Sequence, residues 1–596
     1  MKHLRFLNKY FYRYRYRFIL GILFVSISNY FGVLSPQIIR HCFDLVGSTI
    51  SLYYLFEGFA LQAQFYALFS SALFFFGLAV LLVAVLKGIF MFFMRQTIIV
   101  MSRLIEYDLK NDMYAHYQQL TLAFYRRNKT GDLMSRISED VSRVRMYLGP
   151  AVMYSVNLVV LVIMVVSAMI SVNARLTFFV LLPLPILAIS IYYVNNLIEH
   201  LSEQIQKRLS KLTSHAQEVY SGIRVIKSYV QERQILKFFD HASEQYKKEA
   251  LKLARVEAFF FPLMLLLIGL STIITIWVGG IGVMRGDITP GNIAEFVIYV
   301  NMLTWPVTAI GWVASIVQRA AGAQKRINEF LHTRPELVSG TEKNIRLKGQ
   351  IDLVNVSFTY PDTGIQALKH VSLSIRPGQK LAVIGRTGSG KTTLADLLVR
   401  MYDTSEGDIL YDQLPIRQID LHTLRSQIGY VPQDVFLFSD TVANNISFGC
   451  HSSDRQRIIE AAQNAAIHNE ILSLPNGYDT IVGERGVTLS GGQKQRISIA
   501  RALIKDPTLL ILDDCLSAVD AATEKNILSR MKTLLQDKTA IIITHRIFTL
   551  LDFDQIIVLQ DGSIVEQGTH DELIALRGYY YELFEAQQKE STVPIP

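Results

Sequence analysis

Two kinds of apolar spacing divide this chain. As far as about residue 319 the apolar positions come in long unbroken runs, whereas beyond residue 349 they form short strands separated by Gly-rich turns and by helical stretches with one apolar face. A helix rises about 1.5 Å per residue, so roughly twenty apolar residues are needed to cross a bilayer core. Runs of that size lie at residues 18–39, 68–94, 147–172, 176–194, 259–284 and 293–317. The pattern predicts an all-α membrane domain of six spans over residues 1–331. The strand, turn and helix alternation predicts an α/β domain over residues 349–590, joined by a polar linker at 332–348 and followed by a short tail at 591–596.

Six crossings return the chain to the side on which it began. A cleaved signal peptide does not fit the first run, which is long, is followed by the bulky "NYFGVLSP" and has five more runs behind it. The segments after the second and fourth runs are rich in Lys and Arg, while those after the first, third and fifth carry only Arg40, Arg175 and Arg285. The positive-inside rule then puts both termini and the α/β domain in the cytoplasm, in a multi-pass protein of the cell membrane. Residues 95–145 and 195–255 keep helical periodicity, so the membrane helices are expected to continue well into the cytoplasm. Each extension has an interruption, Gly131 in "FYRRNKTGDLMSRISEDVSRVR" and Gly222 in "EVYSGIRVIKSY". These mark the turns of two helical hairpins, whose tips are candidate docking surfaces.

Charge changes this picture little. The net charge is +8, but six of the positive residues (Lys2, Arg5, Lys9, Arg13, Arg15 and Arg17) stand directly ahead of the first apolar run. Such a collar suits anionic lipid headgroups, and its interleaved Tyr and Phe suit a membrane interface, so no nucleic-acid partner is expected. The three cysteines, Cys42, Cys450 and Cys515, form neither a disulfide framework nor a metal-ligand spacing. Two ionisable groups fall inside apolar runs. Lys87 is expected to snorkel to the cytoplasmic boundary, and Glu295 to be solvated at headgroup level.

The α/β region carries the chemistry. "GRTGSGKT", residues 385–392, follows the apolar strand "KLAVI" and opens a helix, the setting a phosphate-binding loop requires. Gly385, Gly388 and Gly390 let the backbone N–H groups of this stretch, which includes Arg386, Thr387 and Ser389, crowd round phosphates. Lys391 reaches the β- and γ-phosphates of ATP and Thr392 helps hold Mg²⁺, with Thr393 next in the same helical turn. Further on, "LLIL" delivers Asp513 at a strand end, where a carboxylate can hold Mg²⁺ through water. "LSGGQ" (Leu489, Ser490, Gly491, Gly492, Gln493) heads another helix and makes a second anion site. One nucleotide cannot obviously use both helix starts of a single domain, which suggests a second copy.

With these motifs in order the sequence resembles the ATP-binding cassette (ABC) transporters over nearly its whole length, as a half-size exporter of the bacterial lipid and multidrug type with a P-loop ABC ATPase domain. The resemblance implies adenine stacking on Tyr360 of "SFTYP", roles at the reacting phosphate for Gln433 of "VPQD" and His545 of "IIITHR", Gln433 joining Thr392 and Asp513 on Mg²⁺, and further contacts from "GERG" and from Asp520 of "SAVD". It implies an obligate dimer, with ATP clamped between one chain's P-loop and the other's signature. Where most active cassettes carry Glu to polarise the attacking water, this chain has Asp514. Its carboxylate is retracted by about 1.5 Å, and misplacement on the order of 1 Å can cost about a hundredfold in rate. The sequence is similar in this respect to the degenerate-site subunits of bacterial heterodimeric multidrug exporters, though it keeps His545. The expected partners are a second half-transporter (a related chain or a second copy), membrane lipid, and a hydrophobic drug or lipid substrate. A homodimeric lipid exporter and an ATP-gated channel are the alternatives, and the cargo is not legible.

Overall fold

The computed structural model describes residues 2–592 apart from 56–57, 60, 451–453, 484–485, 487, 516–522, 524–526, 528, 531–534 and 546–552. It divides into two compact units. The first holds Met1–Tyr117 and Gly131–Thr333, the second Gln118–Thr130 and Arg334–Pro596.

Six helices of the first unit are long and apolar enough to cross a membrane: α1 (Arg15–Ile50), α2 (Leu61–Gln119), α3 (Thr130–Val172), α4 (Ala174–Ser221), α5 (Glu232–Met284) and α6 (Pro290–Leu331). At 59 and 53 residues, α2 and α5 are far longer than a bilayer needs, as the extended periodicity of the sequence anticipates. Helix α3 contains two π-helical stretches, Arg136–Asp140 and Tyr147–Ala151. The second accommodates Pro150, which has no N–H to give to an α-helical ladder. The break at the first tip falls at Asn128 and Lys129, and Gly131 lies within the helix that follows. At the second tip Gly222 does end its helix, donating its N–H to the Glu218 carbonyl at 2.8 Å.

The interior of this unit is apolar where α1, α3 and α6 meet, around Val33, Val165, Met169, Phe296 and Val300. Glu295 corrects the sequence-based expectation. Rather than sitting in solvated headgroups it is fully buried, paired with Arg40 of α1 at 3.3 Å and accepting the Tyr299 hydroxyl at 3.0 Å. Beside it Asp44 accepts the Gly291 N–H and the Thr289 hydroxyl, both at 2.9 Å, which ties the end of α1 to the start of α6. Lys87 also departs from expectation. Ser28 Oγ donates to the Lys87 carbonyl at 3.3 Å, yet Nζ lies 3.4 Å from where a Cβ on Gly32 would stand, one turn further along α1. Side chains lean toward a helix's N-terminus, so Lys87 reaches back along α2 toward Leu61, away from the end at Gln119 where its basic extension lies. The amino-terminal collar is partly consumed within the fold. Lys9 pairs with Asp112 at 3.1 Å and Arg13 with Asp108 at 3.0 Å, while Leu4, Leu7 and Tyr10 are buried.

The second unit has two sheets among its described residues. β1 (Ile351–Thr359), β2 (Gln366–Ile375), β4 (Glu406–Tyr411) and β5 (Leu414–Pro415) form an antiparallel sheet in the order β2-β1-β4-β5. The other runs β10-β9-β3-β8-β7-β6, from β3 (Lys380–Gly385), β6 (Ile428–Val431), β7 (Leu509–Asp513), β8 (Thr539–Ile543), β9 (Gln555–Gln560) and β10 (Ser563–Gly568). In it β9, β3, β8, β7 and β6 are parallel, and β7 and β8 are buried at every position, as their unbroken apolar sequences require. Two outlying stretches complete the unit. The short helix Leu122–Arg127 places Ala123 in the largest apolar cluster, alongside residues such as Val356 and Leu398. The segment after Thr333 is strapped along the unit by Gly340 N–H to the Ile419 carbonyl, 3.2 Å, and Glu342 N–H to the Gln418 carbonyl, 3.0 Å.

Candidate functional site

Because β3, β8 and β7 are parallel neighbours, their carboxyl ends emerge at one edge of the sheet, where α/β folds commonly bind ligands. β3 delivers Gly385, β7 delivers Asp513, and β8 is followed by Thr544 and His545. The loop from β3 curls into helix α7 (Lys391–Leu398), whose exposed N–H groups and dipole favour an anion. Gly390 is at φ 103°, and a Cβ there would stand 2.5 Å from the Ala367 carbonyl oxygen, so only glycine fits the curl.

These strand ends enclose a cleft of about 420 Å³, lined by Thr387, Gly388, Lys391, Thr392 and Thr393 from the loop and helix, by Asp513, Asp514 and His545 from the strand ends, and by Tyr360 and Gln433 from flanking turns. Lys391 Nζ donates to the Gly385 and Arg386 carbonyls at 2.9 and 2.8 Å. Burial lowers its pKa, opposed by Asp514 and Asp513. Asp513 is pushed up to about 6, chiefly by burial and further by Asp396 and Asp514, while the Thr392 hydroxyl and Lys391 pull the other way. Among the described residues its Oδ2 is buried without a hydrogen-bond partner, as is Ser389 Oγ. His545 is shifted down by burial and by Lys391, so its imidazole is neutral at neutral pH. Asp514 follows directly, at φ 43°, with its N–H held by the Ile543 carbonyl at 2.9 Å. That left-handed conformation suits Asp better than most residues.

Tyr360 stands at the rim, its hydroxyl 2.8 Å from Thr393 Oγ1 and its ring against Phe358 and Tyr402. Over it lies Arg126 of the helix Leu122–Arg127, with Cζ 5.5 Å from the Tyr360 ring centre and 5.7 Å from that of Tyr402. Arg126 Nη2 is 3.9 Å from Asp396 on α7, whose other oxygen accepts the Tyr430 hydroxyl at 3.3 Å. The sequence marked this loop tip but not this residue. A lone Arg in a basic loop carries no signal until the fold sets an aromatic pair beneath it.

The signature stretch does not line the cleft. Ser490 caps helix α8 (Gly491–Leu503), with its N–H on Gln493 Oε1 at 2.9 Å and its Oγ accepting the Gln493 N–H at 3.3 Å. Leu489 is buried behind it. Gln493 and Arg496 are both fixed by Glu470, at 3.0 Å from Gln493 Nε2 and 2.9 Å from Arg496 Nη2. The signature is thus a rigid, capped helix start facing outward. Asp520 and the middle of "GERG" lie outside the described residues.

A phosphate-binding ATPase unit carried behind six membrane helices is the organisation of a transporter powered by ATP. The chain belongs to the ABC transporter family: residues 17–307 match the ABC transporter transmembrane region and residues 368–517 match the ABC transporter family itself. It is 40% identical over 490 residues to the multidrug resistance-like ATP-binding protein MdlA of Escherichia coli, covering 82% of each chain. It is 35% identical over 518 residues to the ATP-dependent lipid A-core flippase of Syntrophus aciditrophicus, covering 87% of this chain and 86% of that one. Its fold matches that of a bacterial Atm1-family ABC exporter solved with ATP bound, with a TM-score of 0.76, 26% identity, and coverage of 96% of this chain and 99% of the other. The chain is therefore a half-size, multi-pass ABC exporter whose ATP hydrolysis is coupled to transport.

Proposed function

We propose that this chain is one half of a dimeric exporter that moves hydrophobic or amphiphilic drugs or lipids across the cytoplasmic membrane, with its own ATP site slowed and a related chain as its partner. The observation that carries this reading is that Asp514 lines the P-loop cleft of its own chain whereas Ser490 does not. The signature must then complete a site on another cassette.

In this reading ATP lies with adenine on Tyr360, its phosphates against the 385–390 backbone and Lys391, and the γ-phosphate near the neutral His545, which keeps one N–H to donate. The buried Asp513 Oδ2 and the Thr392 hydroxyl suit a hard cation that takes oxygen ligands, and Gln433 lines the same cleft, so these three would hold Mg²⁺. The metal would neutralise phosphate charge. Asp514 is the group placed to polarise water, and its short side chain makes it a weak one. Both termini and the cassette are cytoplasmic, by the Lys and Arg bias of the loops. The first tip links the membrane helices to the cassette through Arg126, and the second, with Tyr220 and Val225 exposed, suits docking on the partner. The relative that carries the name of a lipid A-core flippase favours a lipid exporter as the second reading, with a second copy of the chain as its partner the alternative to a related one.

Purifying the chain from its native membrane, identifying any second subunit and measuring ATPase with and without it tests the proposal. A self-paired dimer with vigorous hydrolysis would overturn the slow-site, two-chain reading.

A further inference from the structure

The last described helix of the second unit, α9 (Tyr579–Thr592), reaches back to the phosphate-binding loop. It follows β10 and the short helix His570–Leu576, and its first turn is pinned from two sides. The Glu566 carboxylate of β10 accepts the Tyr579 N–H on one oxygen and the Tyr580 N–H on the other, the second at 3.0 Å. Gly578 leaves room for that cap, since a Cβ there would stand 2.2 Å from Glu566 Oε1. Tyr580 is fully buried in one apolar cluster with Ala382 and Ile384 of β3, the strand that delivers the loop, and its hydroxyl is 2.6 Å from His570 Nδ1.

With Tyr580 turned into the core, Tyr579 stands beside it at half burial and meets Arg386, 193 positions earlier in the chain. Arg386 Nε donates to the Tyr579 hydroxyl at 2.9 Å, and its Cζ lies 5.5 Å from the ring centre. Arg386 is the second residue of the loop, yet neither it nor Tyr579 lines the cleft. Its backbone nevertheless holds the loop together, for its carbonyl accepts Lys391 Nζ at 2.8 Å and the Ser389 N–H at 3.1 Å. One residue thus seats Lys391 with its carbonyl while its side chain is held from outside the cleft. A peptide unit anchored in this way has fewer orientations to lose when phosphates bind, and ordering costs subtract from affinity.

We infer that Tyr579 is a positioning residue of the ATP site, fixing through Arg386 the loop peptide that seats Lys391. This rests on ATP binding at the 385–392 loop and adds to it a part from outside the cleft. The test uses the whole transporter, with whichever second subunit co-purifies, in nanodiscs with Mg²⁺ on ice. Photolabelling of this chain by 8-azido-ATP over a concentration series, competed with ATP, reads its affinity. Tyr579→Phe keeps the ring beside the guanidinium but loses the hydroxyl, and should weaken nucleotide about threefold at an unchanged melting temperature; Tyr579→Leu loses both and should weaken it about tenfold. In an Arg386→Met background Tyr579→Phe should have no further effect, because the contact is already gone. Arg386→Met alone breaks the contact from the exposed side of the loop and should weaken nucleotide about threefold or more, which keeps the inference testable if a Tyr579 variant does not fold. Unchanged affinity in Tyr579→Phe or in Arg386→Met, an equal loss from Tyr579→Phe in both backgrounds, or a loss that only tracks a fall in melting temperature makes Tyr579 a packing residue and overturns the inference. Those outcomes leave the ATP-site reading standing, whereas a wild-type chain that takes no label strikes that reading itself.

Discussion

The guanidinium of Arg126 sits 5.5 Å over the ring of Tyr360, so the residue proposed to stack on adenine packs against the short helix Leu122–Arg127. Replacing Arg126 by Ala removes the cation–π contact and the longer-range attraction to Asp396. The expected result is a loss of transport-substrate stimulation of ATPase, with the apparent affinity for ATP changed by only about two- to fivefold. Arg126→Lys should restore part of the stimulation. Unchanged stimulation in a folded Arg126→Ala dimer would show that this contact carries no signal.

Asp396 should make stability depend on pH in a definite direction. Burial raises its pKa above the ordinary carboxylate value, with Arg126 and the Tyr430 hydroxyl opposing. The folded state therefore holds a proton that the unfolded chain has already released, so this group's contribution is greatest at acid pH and falls as pH rises through the folded value. Asp396→Asn should melt at a higher temperature than the wild type near pH 7.5, with the difference shrinking toward pH 4.5. Thermal unfolding of both proteins across that range checks the sign.

At the cleft, Asp514→Glu should raise hydrolysis at this chain's own site by about tenfold or more, with little change in nucleotide affinity. The φ of 43° limits the gain, since Glu is less at ease there than Asp. Ser490→Ala should cost about 1 kcal/mol of helix stability as a lost cap. In the proposed two-chain assembly it should also lower turnover more than Asp514→Ala does. Site-resolved ATPase and nucleotide retention would measure both; equal losses for the two variants would argue for a symmetric dimer.

The pair Arg40 and Glu295 predicts an asymmetry. Glu295 is fully buried while a quarter of Arg40 remains exposed, so Arg40→Gln strands a carboxylate in the interior, whereas Glu295→Gln leaves an arginine that can turn outward. Arg40→Gln should cost about 3 kcal/mol, Glu295→Gln distinctly less, and the double substitution less than the sum. Thermal unfolding in detergent or nanodiscs is the measurement.

What could be read from the sequence follows from the range of the forces involved. The six spans and the P-loop are written in short windows, in unbroken apolar runs and in a strand, loop and helix in immediate succession. Glu295 was misjudged because its partner lies 255 positions away and no local pattern announces Arg40. Lys87 was misjudged differently: chain direction decides toward which end of its helix a lysine leans, and this one leans toward the amino end of α2, into the apolar run. Gly131 suggested a turn, but the chain bends at Asn128 and Lys129 and glycine is tolerated in the helix that follows. Arg126 and Asp396 became site neighbours only when a loop from the first half of the chain was found inside the second unit.

That loop makes the ATPase core discontinuous in the chain. Ala123 is made long before β1, yet it ends up in the same core as β1, so the apolar interior of the ATPase unit is completed by a residue from outside its own contiguous stretch of chain. A fragment beginning at Arg334 lacks Ala123, and a peptide spanning residues 118–130, added separately, should bind to it.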